Sequence, residues 1–136
     1  MSGSPYVLKG KVVTGNRIGR TLGIPTANLE LDRDCPLLLA YGVYAVLVEW
    51  DQQIFKGMAN IGIRPTMSDH RLTVEVNIFD FSKDIYGNSL KLYFIDRIRD
   101  EMKFPDLGEM TKKIAEDRSR AIEILSGLDH PDAYSQ

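Results

Sequence analysis

Cysteine and histidine are scarce in this chain, and their scarcity excludes several common sites. The sequence has one cysteine, Cys35, and two histidines, His70 and His130. One cysteine cannot form an internal disulfide, and it fits a reducing compartment, so we expect a cytoplasmic protein. The two distant histidines supply neither zinc-ligand spacing nor a nucleophile–histidine catalytic set.

Excess charge and long apolar runs are also absent. The chain has 17 basic and 19 acidic residues, for a formal net charge of −2. Bulk nucleic-acid binding needs a concentrated positive face, so we expect no nucleic-acid partner. The net charge does not exclude a local basic site for a phosphate group. No apolar run is long enough to span a membrane, and no signal segment opens the chain. The 136 residues, 43% of them hydrophobic, suit one domain with a real core.

The apolar pattern between residues 7 and 95 is typical of short antiparallel strands. The clearest segments are 43–50 and 72–81, and the second places Glu75 and Asn77 on the face opposite its valines. Further strands are predicted at 7–14, 27–31, 54–61 and 90–95. We expect a tight hairpin at 51–53, an irregular segment at 62–66 and an exposed loop at 67–71. About five or six strands with short connections indicate a sandwich or a barrel.

A helical period replaces the strand period after residue 105. Asp106 and Glu109 form a variant of the capping box, and Gly127 is a natural stop. The apolar residues that recur at helical spacing are Leu107, Met110, Ile114, Ala121 and Leu125. We therefore predict one amphipathic helix of about five turns, packed on the sheet. Asp117 falls within this stripe, and we expect it to be a paired structural carboxylate.

The segment 19–28 concentrates special backbone and polar groups. Its glycines let a ligand approach bare amides, and Arg20 can pair with phosphate oxygens. Thr26 and Asn28 stand two apart, so on an extended chain both point to one side and offer hard oxygen donors suited to Mg²⁺. The Walker phosphate-loop pattern is absent. The alternative interpretation is a glycine-containing turn that leads into a strand.

Glu75 is the candidate general base. If its strand belongs to a small barrel, the carboxylate could look into a polar mouth and accept a proton from an alcohol. The alternative is an ordinary solvent-exposed carboxylate on a half-buried strand. The mixed charges at 97–103 are expected to form a solvated connector between strand and helix, where ligand loops often lie.

The series of motifs in this chain resembles that of the riboflavin kinases. In order, the motifs are 10–15, 19–28, 42–45, 60–62, 64–66, 74–76, 84–87 and 99–104. The similarity runs from about Tyr6 to Leu125, and Pro-Thr-Ala-Asn at 25–28 is the most specific part. The closest likeness is to the kinase module of bacterial bifunctional FAD synthetases.

This resemblance implies a mainly β fold, a six-stranded antiparallel Greek-key barrel with a C-terminal helix packed against it. The domain would span 5–128, with 1–4 an expression scar or linker and 129–136 a tail. The implied reaction transfers the γ-phosphoryl group of ATP to the terminal ribityl hydroxyl of riboflavin, giving FMN and ADP. An adenylyltransferase domain would precede this one, but the chain has no His-x-Gly-His motif, so FAD synthesis is not expected from it.

The resemblance also implies a role for individual residues. Glu75 would accept the hydroxyl proton, and Thr26 and Asn28 would hold Mg²⁺. The implied nucleotide-binding residues are Gly15, Gly19, Arg20, Gly23, Thr26 and Asn28. The implied flavin-binding residues are Arg99, Glu101, Met102 and Phe104.

Two departures from the family pattern leave the base in place, but they set aside a histidine role and indicate a different loop before residue 42. Many relatives carry histidine where this chain has Asn77, and many have a proline shortly before the motif at 42–45, where this chain has 37–41 without one. One alternative is a flavin- or nucleotide-binding module without turnover. An oligonucleotide-binding barrel is a third possibility, against which the net charge and the lack of a basic and aromatic stripe both argue.

Overall fold

The computed structural model describes residues 6–13, 27–31, 40–65, 70–81 and 85–127. These residues form six strands and one helix. In chain order they are β1 (Tyr6–Val13), β2 (Ala27–Leu31), β3 (Gly42–Trp50), β4 (Gln53–Pro65), β5 (His70–Ile78), β6 (Ser89–Arg99) and α1 (Leu107–Ser126).

The six strands close into an antiparallel barrel with the order β1-β2-β5-β4-β3-β6. Strands β3, β4 and β5 follow one another as hairpin neighbours, whereas β2 pairs with β5 and β6 pairs with both β3 and β1. Closure gives each of these six strands a hydrogen-bonded neighbour on both sides. The predicted mainly β class, with a six-stranded barrel and a C-terminal helix, is therefore confirmed.

Alternation along the strands divides the apolar residues into two cores. Val74, Val76 and Ile61 are at most 1% exposed and lie in the cluster that fills the barrel. A second cluster contains Ala45 and Leu47 of β3 together with Ala121 and Leu125 of α1 and lies between the outer wall and the helix. The helix contacts β3, β4 and β6. Residues on the outer faces of these strands are therefore shielded where α1 covers them.

The two ends of α1 follow the capping prediction. The Asp106 carboxylate accepts a hydrogen bond from the Glu109 N–H at 2.8 Å, and the Gly127 N–H donates to the Ile124 carbonyl at 3.2 Å. The predicted stripe was wrong at Leu107, which is 56% exposed in the first turn, so packing against the barrel begins at Met110. Within the described ranges, no helix has the length and apolarity that a membrane crossing requires.

The facing limits of β4 and β5 differ from the sequence prediction, because pairing between neighbouring strands extends both beyond what the local pattern indicates. Strand β5 also ends at Ile78, earlier than the predicted strand at 72–81. Strand β4 continues to Pro65, where an irregular segment was predicted, and β5 begins at His70, within the predicted loop. The two extensions pair with each other at their ends, where Arg64 lies opposite Arg71 and Pro65 opposite His70. Pro65 lacks an N–H and is tolerated at the end of the strand.

Strand β6 also runs further than predicted and contains Arg97 and Arg99, so the expected solvated connector was wrong for these residues. Arg97 lies opposite Tyr44 and Arg99 opposite Val43, with two register shifts along the β3–β6 ladder. Bulges of this kind let a strand continue past its regular pairing and re-aim its side chains.

Candidate functional site

A row of residues crosses five strands at one level of the barrel's outer wall. Asn28 of β2 lies opposite Glu75 of β5, and Glu75 lies opposite Asn60 of β4. Asn60 in turn lies opposite Val43 of β3, and Val43 opposite Arg99 of β6. Directly opposed residues in antiparallel strands share a face, with Cβ atoms about 4.5–5.5 Å apart. This cross-strand row therefore brings together residues from positions 28 to 99.

A cavity of about 210 Å³ lies along this row and beside α1. We call it the helix-side cavity. Its wall contains Glu75, the predicted base, together with all four predicted flavin-binding residues, which are Arg99, Glu101, Met102 and Phe104. The helix adds Met110, Ile114 and Asp117 to the same wall. Residues that the sequence analysis assigned to two separate roles thus share one cavity.

An ion pair between Arg99 and Asp117 links β6 to α1 in the wall of this cavity. Its Nε lies 2.9 Å from both carboxylate oxygens of Asp117, and its Nη2 lies 2.7 Å from Oδ2. The side chains of Arg99 and Asp117 are only 15% and 4% exposed, and the guanidinium lies 5.7 Å from the ring centroid of Phe104. The prediction that Asp117 is a paired structural carboxylate is confirmed. The predicted contact between Arg99 and a flavin stays a prediction.

The residues after β6 lie against β4, and a glycine makes this approach possible. A β-carbon placed on Gly62 would overlap the carboxylate of Glu101. Because Gly62 has no side chain, Glu101 can rest on the strand beside Asn60 and close that side of the cavity. Met102 is 47% exposed and stands at the cavity's edge.

Two buried amide oxygens flank Glu75 along the row. Among the residues that the structure describes, none donates a hydrogen bond to Oδ1 of Asn28 or to Oδ1 of Asn60, and both atoms are buried. A buried acceptor without a partner costs roughly 1–3 kcal/mol. Such oxygens are suited to a ligand donor or a hard cation. Within the described part of the chain there is no cluster of three or more histidine, cysteine or acidic residues.

The position of Glu75 corrects one expectation. The barrel interior is filled by the apolar core to which Val74 and Val76 belong, so Glu75 does not look into a polar mouth. The side chain belongs instead to the outer face of the barrel, where it lines the helix-side cavity and is partly buried. Asn77, on the same face, is 3% exposed and lines the cavity as well.

Several predicted site residues lie outside the described residues, and their roles stay predictions. They are Gly15, Gly19, Arg20, Gly23 and Thr26. Asn28, the remaining predicted nucleotide and metal residue, begins the cross-strand row beside Glu75. Asn60 was missed as a site residue, because nothing but its place in the motif at 60–62 distinguished it in the sequence.

A larger cavity of about 600 Å³ opens on another part of the outer wall. We call it the open groove. Its wall contains Lys9, Lys11, Lys91, Glu30 and Glu49, and none of the predicted site residues that the structure describes. Lys9, Lys11 and Glu30 are exposed to solvent. These three charges are therefore hydrated, and we place the candidate functional site in the smaller cavity.

The fold and the candidate site together indicate the class of protein. It is a closed β-barrel enzyme module with a candidate small-molecule site on its outer wall beside a helix, where one carboxylate lies between two amides. The comparison with known families gives the particular group. The chain belongs to the riboflavin kinase, or flavokinase, family, whose sequence model matches residues 2–125.

Curated relatives of known name agree with this family. The bifunctional riboflavin kinase/FMN adenylyltransferase of Bacillus subtilis is 40% identical over 129 residues, which cover 93% of this chain and 40% of the relative. The protein of the same name from Haemophilus influenzae is 43% identical over 116 residues, covering 85% of this chain and 37% of the relative. The chain thus spans about two fifths of the length of these relatives.

Solved structures share the fold. The crystal structure of riboflavin kinase from Trypanosoma brucei matches with a TM-score of 0.67 and 27% identity, covering 99% of this chain and 88% of that one. A crystal structure of a macrolide-efflux protein from Streptococcus pneumoniae matches with a TM-score of 0.79 and 42% identity, covering 86% of this chain but 38% of that one. The second likeness concerns only the part that the two chains share.

Proposed function

We propose that this chain phosphorylates riboflavin with ATP, giving FMN and ADP. The observation that carries this proposal is the cross-strand row, which sets Glu75 between Asn28 and Asn60 in the cavity lined by Arg99 and Phe104. Membership of the riboflavin kinase family supports the same reaction.

Glu75 would act as the general base. Phosphoryl transfer asks the protein mainly to position the reactants and to neutralise charge, since the leaving group departs with little covalent help. The Glu75 carboxylate accepts the proton of the terminal ribityl hydroxyl as that oxygen attacks the γ-phosphorus of ATP. The bond between the γ-phosphorus and the bridging oxygen breaks, and ADP leaves.

Thr26 and Asn28 would hold Mg²⁺ with the nucleotide phosphates. The buried Oδ1 of Asn28, to which no described residue donates, is the kind of hard oxygen that this cation takes. When bound, Mg²⁺ neutralises charge on the phosphates. We assign Gly15, Gly19, Arg20 and Gly23 to the cover over the nucleotide, in keeping with the resemblance of their segment to the family.

The apolar part of the helix-side cavity suits the flavin ring. Phe104, Met102, Met110 and Ile114 line it away from Asn28. A planar aromatic ligand gains from such side chains through burial and ring contact. Glu101, held over Gly62, bounds the same space.

We also propose that an adenylyltransferase domain precedes this module in the full-length protein. The names of the bifunctional relatives support such a domain, and its place before this module follows the family resemblance. FAD formation from FMN would belong to that domain and not to this chain. No step proposed for Glu75 or Asn28 depends on it.

Conversion of riboflavin and Mg-ATP, followed by chromatography, tests the proposed function. We expect FMN and ADP to appear in equal amounts, and no FMN when ATP or Mg²⁺ is omitted. Riboflavin binding without FMN formation at high enzyme concentration would contradict the kinase proposal and favour the binding-module alternative.

A further inference from the structure

Asn60 combines three properties that together point to a ligand. Its amide oxygen is buried, and no group among the described residues donates to it. Its side chain lines the helix-side cavity. It also lies directly opposite Glu75 on the neighbouring strand. No role in the proposed mechanism above accounts for these properties.

A buried acceptor without a donor destabilises the free protein, so it needs an explanation. In Asn60 the cost can be relieved by a ligand, because the cavity that Asn60 lines is large enough to admit one. Rotation about χ2, a broad torsion in asparagine, can turn the oxygen toward that cavity without any change in the backbone. The group that satisfies it must carry an O–H or an N–H.

The order of residues along the row indicates which part of the ligand carries this donor group. Under the proposed function the reacting hydroxyl lies at Glu75, and Asn60 is the next position, at a Cβ separation of about 4.5–5.5 Å. Val43 and then Arg99 follow in the row, and Phe104 lies over Arg99. A flavin bound with its terminal hydroxyl at Glu75 would place the remaining hydroxyls of its polyol chain next along the row, and its ring at this apolar end.

We propose that Asn60 is a substrate-binding residue whose amide oxygen accepts a hydrogen bond from a hydroxyl of the substrate's polyol chain. The proposal rests on the proposed function, and it adds a determinant of specificity. A site built to bond a hydroxyl discriminates against analogues that lack it, since its own polar group is then left unpaired.

The test compares Asn60→Ala with the wild type on two ligands, riboflavin and lumiflavin, which has a methyl group in place of the ribityl chain. Fluorescence titration measures the two dissociation constants. We expect Asn60→Ala to weaken riboflavin binding about tenfold and to change lumiflavin binding less than twofold. The Tm of the free variant should stay level or rise, because no hydrogen bond within the described part of the protein is lost. Asn60→Leu, which keeps most of the volume, should give the same pattern.

Asn88→Ala is the matched control. The Asn88 amide donates to the Ile85 carbonyl at 3.2 Å in an exposed turn, and Asn88 is not part of the cavity wall. This variant should lower Tm and leave both flavin affinities unchanged, which is the opposite signature.

Three results would overturn the assignment of Asn60. They are an equal loss of affinity for both flavins, a lowered Tm in Asn60→Ala and Asn60→Leu, or a loss of Mg-ADP affinity with riboflavin affinity intact, which would make Asn60 a cation ligand. If the wild type forms FMN and Asn60→Ala binds riboflavin equally well, only this assignment fails. If the wild type neither binds riboflavin nor forms FMN, the proposed function fails with it.

Discussion

The helix-side cavity and the open groove lie on the same barrel wall, and the smaller of them is lined by Glu75 and the four predicted flavin-binding residues. The open groove measures about 600 Å³ and the helix-side cavity about 210 Å³. In the groove, Lys11 lies opposite Glu30 and Lys91 opposite Glu49, so carboxylates and ammonium groups share a wide, hydrated surface. In the helix-side cavity, one ion pair is almost completely buried and one amide oxygen is enclosed without a donor among the described residues.

The candidate site and the open groove therefore differ in how far their polar groups are withdrawn from water, and the larger volume belongs to the more hydrated region. Charges in water interact weakly, whereas groups withdrawn from water gain or lose several kcal/mol with each partner. The helix α1 creates the distinction, because it covers β3 and β4 beside the row and leaves the groove open. Changes matched between the two regions should therefore differ strongly in effect.

The largest difference should come from the buried ion pair. Asp117→Ala leaves the Arg99 guanidinium buried without its carboxylate, and we expect the free energy of unfolding to fall by about 3–5 kcal/mol. Glu30→Ala, in the open groove, should change it by less than about 0.5 kcal/mol. Urea denaturation of the two variants measures both values. A loss below about 1 kcal/mol in Asp117→Ala would show that the helix-side wall is as well hydrated as the groove.

The next effect concerns turnover. Glu75→Gln keeps the size of the side chain and removes the base, so we expect kcat for FMN formation to fall by about 100-fold or more with riboflavin affinity nearly unchanged. Glu30→Gln removes a carboxylate from the groove and should leave kcat within about twofold of the wild type. Steady-state kinetics with riboflavin and Mg-ATP give both numbers. Near-normal kcat in Glu75→Gln would remove Glu75 as the base.

These two predictions also separate what the sequence could and could not predict. Strict alternation at 72–81 placed Glu75 on the polar face, and the helical period placed Asp117 in the packed stripe, because both patterns are local. The partner of Asp117 could not be predicted, since Arg99 reaches it only after β6 has passed two register shifts. Arg99 itself was expected in a connector, where no local pattern marked the continuing strand.

The cross-strand row could not be predicted from the sequence either. Asn28, Glu75 and Asn60 become neighbours only because β5 pairs with β2 on one side and with β4 on the other. That order is a property of the closed barrel, and many strand orders agree with the same alternation. The family resemblance supplied Glu75 and Asn28, but the importance of Asn60 required the register and the burial of its amide.

Tyr93 contacts both regions, and it should make the free energy of unfolding depend on pH by a smaller amount. Its ring belongs to the core under α1, and its hydroxyl donates at 2.8 Å to Glu49, which lines the groove. Burial first, and then the Glu49 carboxylate, raises the pKa of Tyr93 from 10.0 to about 12. The folded protein thus holds this proton more tightly than the unfolded chain, and the stabilisation is complete below pH 10 and lost as the pH rises toward 12.

We therefore expect wild-type stability to fall between pH 10 and pH 12 by about 2 kcal/mol more than that of Tyr93→Phe. Guanidinium denaturation at several pH values measures the difference in slope. Tyr86→Phe is the control, since Tyr86 is 68% exposed, and it should keep the wild-type slope. Identical slopes in wild type and Tyr93→Phe would mean that the Tyr93 hydroxyl is hydrated like a groove side chain.

The smallest effect is expected at the hairpin on the groove side. Asp51 and Gln52 connect β3 to β4 with φ angles of 52° and 62°, and Asp51 lines the groove. Both values lie in the left-handed region that glycine adopts without steric cost, and two-residue hairpins with this backbone favour glycine at the second position. Gln52→Gly should therefore raise the free energy of unfolding by about 0.5 kcal/mol, after the larger entropy of the unfolded chain is counted.

The reverse change supplies the control for this last prediction. Gly87 has φ 82° with nothing near the place of a β-carbon, so Gly87→Ala adds backbone strain without a clash and should lower stability by about 1 kcal/mol. Gln52→Gly should leave FMN formation unchanged, because the hairpin lies outside the helix-side cavity. A change in kcat with Gln52→Gly would contradict the assignment of the reaction to the helix-side cavity alone, since it would mean that the groove side takes part in the reaction.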